Sequence, residues 1–218
     1  MKILLISASP RKMKSRTLAL ARDVLKGLGD GALIDVVHLR DLKIEFCRHC
    51  ESCHKTCMRC PIRDDAHELL DKMLSADGII LASPNYINQV TASLKAILER
   101  SSHFIHCQRL LGKYVCGVVT SGSGTQDDIV QDYMRYYAQV CGAQYSGGVS
   151  ACANALEAKA DEAFRLGEKF MQDWRGKKQY PDQLEKIAQG KEHFRRIIQM
   201  RQDAWKGEYE YWQKQGWL

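Results

Sequence analysis

The densest chemistry in this 218-residue sequence is a run of sulfur. Of nine cysteines, five fall in one short stretch, Cys47-x2-Cys50-x2-Cys53-x3-Cys57-x2-Cys60, followed by Pro61. Three cysteines at intervals of three bring three sulfurs to one side of a tight turn, and a fourth thiolate completes the shell of an inorganic cubane. Cys57 supplies the short fourth spacing of ferredoxin-type runs, although in those runs the proline follows the fourth cysteine and here it follows Cys60. The same stretch contains two C-x2-C pairs, Cys50/Cys53 and Cys57/Cys60, which suit a tetrahedral zinc site with His49 or His54 as substitute ligands. Zinc knuckles are usually separated by far more than three residues, which weighs against that reading. Reactive or structural thiols without metal are the third reading. An odd number of cysteines excludes complete pairing within one chain. Cys107, Cys116, Cys141 and Cys152 are scattered through core-like segments and read as small buried hydrophobes.

A second set of groups suits phosphate. Ser7-Ala8-Ser9-Pro10-Arg11 is followed by Lys14-Ser15-Arg16-Thr17 at the start of an amphipathic pattern. A helix amino terminus presents unpaired N–H groups and the positive end of its dipole. The hydroxyls of Ser9, Ser15 and Thr17 can donate to phosphate oxygens, and Arg11 or Arg16 can add charge-assisted bonds. The loop is neither a glycine-rich dinucleotide turn nor a Walker loop, and hydroxyls at such a place also serve as plain helix caps.

These groups need elements to hold them. Residues 2–7 form a continuous apolar run, as expected of a strand buried on both faces of a parallel sheet. Leu18, Ala21, Leu25 and Leu28 repeat at helical spacing and stop at Gly29 and Gly31. Further strands are expected at 33–38, 77–82, 114–120 and, more weakly, 144–150. Helices are expected from Asp64, with Asp64, Asp65 and Glu68 in its first turn, and over 92–103, 127–141 and 155–174. This alternation predicts an α/β fold, a doubly wound five-stranded parallel sheet. The polar loops at 7–17, 83–91 and 121–126 each follow a strand, so they gather on one rim. The organisation expected is a domain over 1–175 with a cysteine-rich insert at 44–63, a basic linker, and a helical C-terminal extension over 181–218. That extension is expected to be one long helical segment from Asp182 to about Lys214. Its aromatics Trp205, Tyr209, Tyr211 and Trp212 suggest a contact with a second copy, with folding back on its own domain as the alternative.

Composition excludes several classes. Apolar residues make up 45% and charged residues 27%, ordinary for a globular chain and unlike disordered or collagen-like sequences. No stretch approaches the roughly 18 apolar residues that span a bilayer. Residues 1–6 turn polar too soon for a secretory signal, so a cytoplasmic, reducing location is expected, which favours metal or catalysis over disulfides. The net charge is +6, and the first 60 residues carry the whole excess, 12 Lys/Arg against 6 Asp/Glu. Such a field suits a phosphate-bearing cofactor or an acidic protein; the basic residues form no run interleaved with aromatics, so nucleic acid is not expected.

Ser9-Pro10-Arg11…Ser15-Arg16-Thr17, Asp77-Gly78-Ile79-Ile80…Ser83-Pro84-Asn85-Tyr86 and Leu94-Lys95 together resemble the flavodoxin-like, NADPH-dependent FMN reductase superfamily. The cysteine block before Asp64-Asp65 is similar to that of its iron–sulfur flavoproteins. The resemblance covers roughly residues 1–150, and Arg16 stands where relatives commonly carry Asn. It implies an FMN phosphate on Ser9, Arg11, Ser15, Arg16 and Thr17. It implies a flavin ring against Pro84, Asn85, Tyr86, Ile87 and Asn88, flanked by Ser121, Gly122, Ser123 and Gly124. The last cysteine of such blocks stands two or three residues before an acidic pair. A [4Fe-4S] cluster is therefore expected on Cys47, Cys50, Cys53 and Cys60, with Cys57 as the alternative and zinc as the alternative metal.

The implied function is electron transfer from a ferredoxin-like donor through the cluster to FMN and on to a small acceptor, in a homodimer or homotetramer. Flavin chemistry of this kind needs no catalytic side chain. An NAD(P)H-dependent FMN or quinone reductase with structural or zinc-binding cysteines is the second reading. A non-catalytic redox or metal sensor is the third.

Overall fold

The computed structural model describes residues 1–56 and 60–218, so Cys57 lies outside the described residues. Five strands form one parallel sheet: β1 (Lys2–Ser7), β2 (Leu33–His38), β3 (Gly78–Pro84), β4 (Tyr114–Ser121) and β5 (Gln144–Cys152). Their order is β2-β1-β3-β4-β5, the flavodoxin type of doubly wound sheet. The order reverses between β1 and β3, and the crevice beyond their carboxyl ends is where such sheets take ligands. Ala8 N donates to Ala82 O at 2.8 Å, carrying that ladder one residue into the loops.

The β1 run is apolar throughout because both faces are covered. Leu4 and Ile6 pack with Leu69, Leu94 and Met134, which come from helices α3 (Ala66–Ser75), α4 (Ala92–Arg100) and α6 (Asp127–Val140). Ile3 and Leu5 pack with Leu18, Val24 and Phe170, from α1 (Arg16–Gly27) and α7 (Ala160–Arg175). A short helix α2 (Ser52–Lys55) lies in the cysteine insert, and α5 (Ser102–His106) follows α4 after a break at Ser101. Helices α8 (Pro181–Met200) and α9 (Lys206–Lys214) complete the chain.

Several expected bounds shift for local reasons. The strand expected to end at Ala82 continues to Pro84, because Ser83 and Pro84 pair with Val119 and Thr120. β5 runs on to Cys152 after a bulge at Ser146, which places Tyr145 and Gly147 opposite consecutive residues of β4. Asp64 and Asp65 do not form a helical first turn. Their carboxylates accept the backbone N–H groups of Glu45 (2.8 Å) and Lys43 (2.6 Å), so they tie the start of the insert to its end.

The C-terminal extension departs most from expectation. It is two helices, not one, and it folds back on its own domain. Gln183 takes both the N–H (2.7 Å) and the C=O (2.9 Å) of Tyr145, pairing with the free side of the edge strand β5. The chain then breaks between α8 and α9, where Arg201 and Trp205 Nε1 both reach Glu51 of the insert. Ile198 and Trp212 are fully buried against the body, and Trp205 nearly so. The apolar stripe therefore finds cover within the chain, which removes the reason for expecting a second copy on it. Among the described residues no helix is long and apolar enough to cross a membrane.

Two glycines set how closely α1 and α7 cross. A Cβ on Gly27 would stand 2.0 Å from Phe164 O, and one on Gly167 would stand 2.0 Å from Val24 O. Alanine gains about 1 kcal/mol of helix propensity over glycine, whereas overpacking a tight contact costs about 1–3 kcal/mol. A backbone atom cannot swing aside, so the clash wins. Gly167→Ala lowers the urea midpoint of unfolding by an amount equal to about 1–2 kcal/mol; a raised midpoint would refute this packing.

Candidate flavin rim and cysteine site

The three strand-end loops meet on one rim, as their positions in the sequence require. Ser15 caps α1, its Oγ accepting from Leu18 N at 3.1 Å, and Ser9 Oγ accepts from Arg11 N at 3.3 Å. Each hydroxyl thus has its own proton left to donate. Both serines are buried, whereas the Arg11 and Arg16 side chains are exposed at the mouth of the loop. Thr17 differs from expectation: its hydroxyl is buried and paired with Thr120 Oγ1 at 2.6 Å. It joins α1 to the end of β4, and what it offers an anion is its backbone amide in the first turn. Ser7 Oγ at the end of β1 is buried with no partner among the described residues.

The second loop is a tight hairpin. Tyr86 N donates to Gln89 O at 2.9 Å, and Gln89 N returns a bond to Tyr86 O at 3.2 Å. Ile87 and Asn88 both have positive φ, 54° and 55°, as in a type I′ turn. Asn accepts this conformation; a β-branched Ile does so under strain. Ile87 is also wholly exposed and Tyr86 half exposed, so the tip offers an apolar, aromatic wall that nothing in the chain covers. Pro84 is buried beneath it.

Asp127, at the first position of α6, fastens this loop to the third. Its Oδ1 accepts from Asn85 Nδ2 at 2.9 Å and its Oδ2 from Ser121 Oγ at 3.0 Å. Ser121 Oγ in turn accepts from Gly124 N at 2.8 Å, curling residues 121–124 into an exposed turn whose Gly124 has φ 74°. Ser123 bonds Thr125 within that turn, and Gly122 O accepts from Cys152 Sγ. The sequence reading did not single out Asp127. Its signal was an acid at a helix start directly after a hydroxyl-rich loop.

The cysteine insert hangs from one buried arginine. Arg100, at the end of α4, donates through Nη1 to Glu45 O (3.0 Å) and Asp64 Oδ2 (2.6 Å). Through Nη2 it donates to Ile62 O (3.3 Å) and Asp64 Oδ1 (3.0 Å). It therefore holds both ends of the insert at once. Burial works to raise the Asp64 pKa, but the bonds from Arg100 and Glu45 N hold the carboxyl below its usual range. The Arg100 side chain also lies close enough to feel Cys60, and its Nε–H has no other partner among the described residues. Arg100 follows Ile97 by three positions, so helical spacing already placed it on the inward face.

All four described cysteines of the insert are free thiols: Cys47 and Cys50 are exposed, Cys53 and Cys60 half-buried. The backbone turns its amides toward them. His49 and Glu51 have positive φ, and His49 N donates to Cys47 Sγ at 3.4 Å. The Ser52 hydroxyl and amide lower the Cys50 pKa. Cys53 neighbours His54, whose Nδ1 meets Glu208 Oε1 at 2.6 Å; burial disfavours charge on His54, yet bonds to Cys53 and Glu208 push its pKa up to about 10. A cavity of about 600 Å³ opens beside the insert, lined in part by Cys47, His54, His106, Tyr133 and Trp205. Free thiols, amides aimed at sulfur and a buried cation beside Cys60 fit an iron–sulfur cluster. The same thiols do not chemically exclude zinc.

The profile of the NADPH-dependent FMN reductase family matches residues 1–157. An iron–sulfur flavoprotein of Methanocaldococcus jannaschii is 37% identical over 141 residues, 63% of this chain and 72% of that one. An iron–sulfur flavoprotein of Archaeoglobus fulgidus is 27% identical over 222 residues, covering all of both chains. Among solved structures, an NADH:FMN oxidoreductase in its apo form superposes with a TM-score of 0.58 at 22% identity, over 79% of this chain and 89% of that one, which shows a shared fold. The sheet order, the rim of three loops and a family match across most of the chain lead to one conclusion: the chain belongs to the NADPH-dependent FMN reductase family, with iron–sulfur flavoproteins among its relatives, and is a flavin-dependent oxidoreductase.

Proposed function

We propose that this oxidoreductase exchanges electrons between a [4Fe-4S] cluster on Cys47, Cys50, Cys53 and Cys60 and an FMN on the rim, taking them from a ferredoxin-like donor and passing them to a small acceptor. The observation that carries the reading is the anchoring of the insert: one buried guanidinium closes both its ends and leaves an N–H beside Cys60. When bound, the cluster supplies one-electron chemistry and FMN supplies both one- and two-electron chemistry.

The chain's own residues bind and orient. Ser9 and Ser15 hydroxyls, the Thr17 amide and the Arg11 and Arg16 side chains hold the phosphate. Pro84, Asn85, Tyr86, Ile87 and Asn88 form the wall for the ring, and Ser121, Gly122, Ser123 and Gly124 face it from the other side. Asp127 keeps those two loops in register. The amides around Cys47 and Cys50 and the Arg100 guanidinium place donors at the sulfurs. The basic first 60 residues suit an acidic donor protein. A homo-oligomer belongs to this reading as well.

The second reading, direct reduction by NAD(P)H with structural or zinc-binding cysteines, draws support from the family's NADPH dependence. Iron, sulfide and flavin analysis of anaerobically prepared protein separates the two. The expected result is about four iron and four sulfide per flavin. Zinc in place of iron, with bleaching by NADPH alone, supports the second reading and defeats the first.

Two substitutions test the placements. Cys60→Ser is expected to strip most of the iron while Cys57→Ser leaves it; equal loss from both would remove Cys60 from the ligand set. Asp127→Ala leaves Asn85 Nδ2 and Ser121 Oγ without their acceptor, a cost of about 1–3 kcal/mol. That corresponds to FMN binding weaker by roughly 5- to 150-fold. Unchanged affinity in a flavin fluorescence titration would show that the rim does not depend on Asp127.

A further inference from the structure

The buried box between the cysteine insert and the C-terminal extension has no part in the flavin reading. Three chain segments meet there. His54 comes from α2 of the insert, His106 from α5, and Glu208 from the first turn of α9. Glu208 has no exposed surface. Its Oε1 meets His54 Nδ1 at 2.6 Å and its Oε2 meets His106 Nδ1 at 3.0 Å. The two imidazoles are stacked, 4.6 Å between centroids and 15° between planes, so both Nδ1 atoms face the same carboxylate. Trp205 stacks on the box and Trp212 Nε1 donates to His106 O at 3.1 Å, fixing the α5 end.

We propose that His54, His106 and Glu208 form a mononuclear site for a divalent cation, zinc or ferrous iron, which staples the C-terminal extension to the cysteine insert. The donor atoms all lie within 4.8 Å of one another. In a tetrahedral zinc site with bonds of about 2.0–2.1 Å, neighbouring donors stand about 3.3 Å apart. The two observed contacts need to open by less than about 0.7 Å to admit the ion at that spacing. Two imidazoles and one carboxylate select a first-row cation of borderline softness over magnesium or calcium, which prefer all-oxygen shells.

Two further observations point to a ligand. The cavity of about 600 Å³ is walled by both histidines, leaving room for water in an open coordination position. His103, one turn before His106, is buried with neither ring nitrogen bonded to any described residue, and it is near enough for the charges of Glu208, His54 and His106 to act on it. A buried imidazole without partners beside two imidazoles and a carboxylate is a candidate fourth donor. Binding releases to solvent the proton now held between His54 and Glu208, and the cation takes over its role of neutralising the buried carboxylate.

The site stands whether or not the insert carries iron, so its test is independent of the flavin and cluster readings. Zinc chloride is titrated calorimetrically into the protein as purified with its cofactors, for the native chain, Glu208→Gln and His106→Asn. One zinc per chain is expected, with affinity at least about a hundredfold lower in both variants. Zinc-edge X-ray absorption is expected to show a nitrogen and oxygen shell at about 2.0–2.1 Å and no sulfur at about 2.3 Å. Failure of zinc to bind the native chain, a sulfur shell, or affinity retained in the variants overturns the proposal. If Glu208→Gln does not fold, His106→Asn and the absorption edge decide.

Discussion

The cysteine insert is kept on the fold by the ion pair of Arg100 and Asp64. An insert of this length has no core of its own: most of its residues from Lys43 to Arg63 are exposed or half-buried. Without an anchor it would be a floating loop, and its thiols would have no fixed relation to the rim. Arg100 and Asp64 are each about 1% exposed at the side chain. Removing one partner of such a pair costs about 3–5 kcal/mol, because the other charge is left buried and alone. The guanidinium also satisfies two backbone carbonyls, Glu45 O and Ile62 O, on opposite ends of the insert. One side chain therefore performs loop closure, charge compensation and backbone satisfaction at once. The acidic pair that looks in sequence like a helix start is the other half of that closure.

The sheet was legible because its signal is local. Continuous apolar runs at 2–7, 78–82 and 114–120 are buried on both faces, and no competing pattern explains them. The rim followed from the sheet, since loops after parallel strands share one edge. What could not be read were contacts between residues far apart in sequence whose identities are individually ordinary. Asp127 is one acid among many, and only the fold shows it accepting from both Asn85 and Ser121. Thr17 was legible as a hydroxyl at a helix start, but its commitment to Thr120 depends on α1 lying against β4. The extension was legible as helical and apolar. Its break and its fold-back were not, because they depend on Glu51 and Tyr145 presenting partners that no periodicity reveals.

On the rim, rigidity and strain are divided between the loops. The phosphate loop is stiff: Ser15 caps, Thr17 is tied, and Thr91 Oγ1 donates to Ala8 O at 3.2 Å from the neighbouring loop. The hairpin at 86–89 is strained at its tip, where Ile87 takes a conformation better suited to Asn or Gly. A strained, fully exposed apolar residue persists only when the flanking structure holds it, and here Asn85 and the Tyr86–Gln89 pair do so. An anion site benefits from fixed amides, whereas a ring site benefits from an apolar wall already in place. The division follows the two halves of the ligand that the family carries.

The extension answers two separate physical demands with one segment. An edge strand leaves a row of unpaired backbone groups, and Gln183 occupies those of Tyr145 while Gln144 bonds the linker at Lys178 and Tyr180. The insert needs a second wall, and the turn after α8 supplies it through Arg201 and Trp205 at Glu51. Having covered both, the chain places Glu208 where no water reaches it. A buried carboxylate is costly unless cations or strong donors surround it, and the only groups bonded to it among the described residues are His54 and His106. Two apolar helices would have covered the edge and the insert without that cost. A carboxylate carried in at the end of a segment already held by apolar packing contributes selectivity for what stands opposite it, and what stands opposite it is the residue next to Cys53.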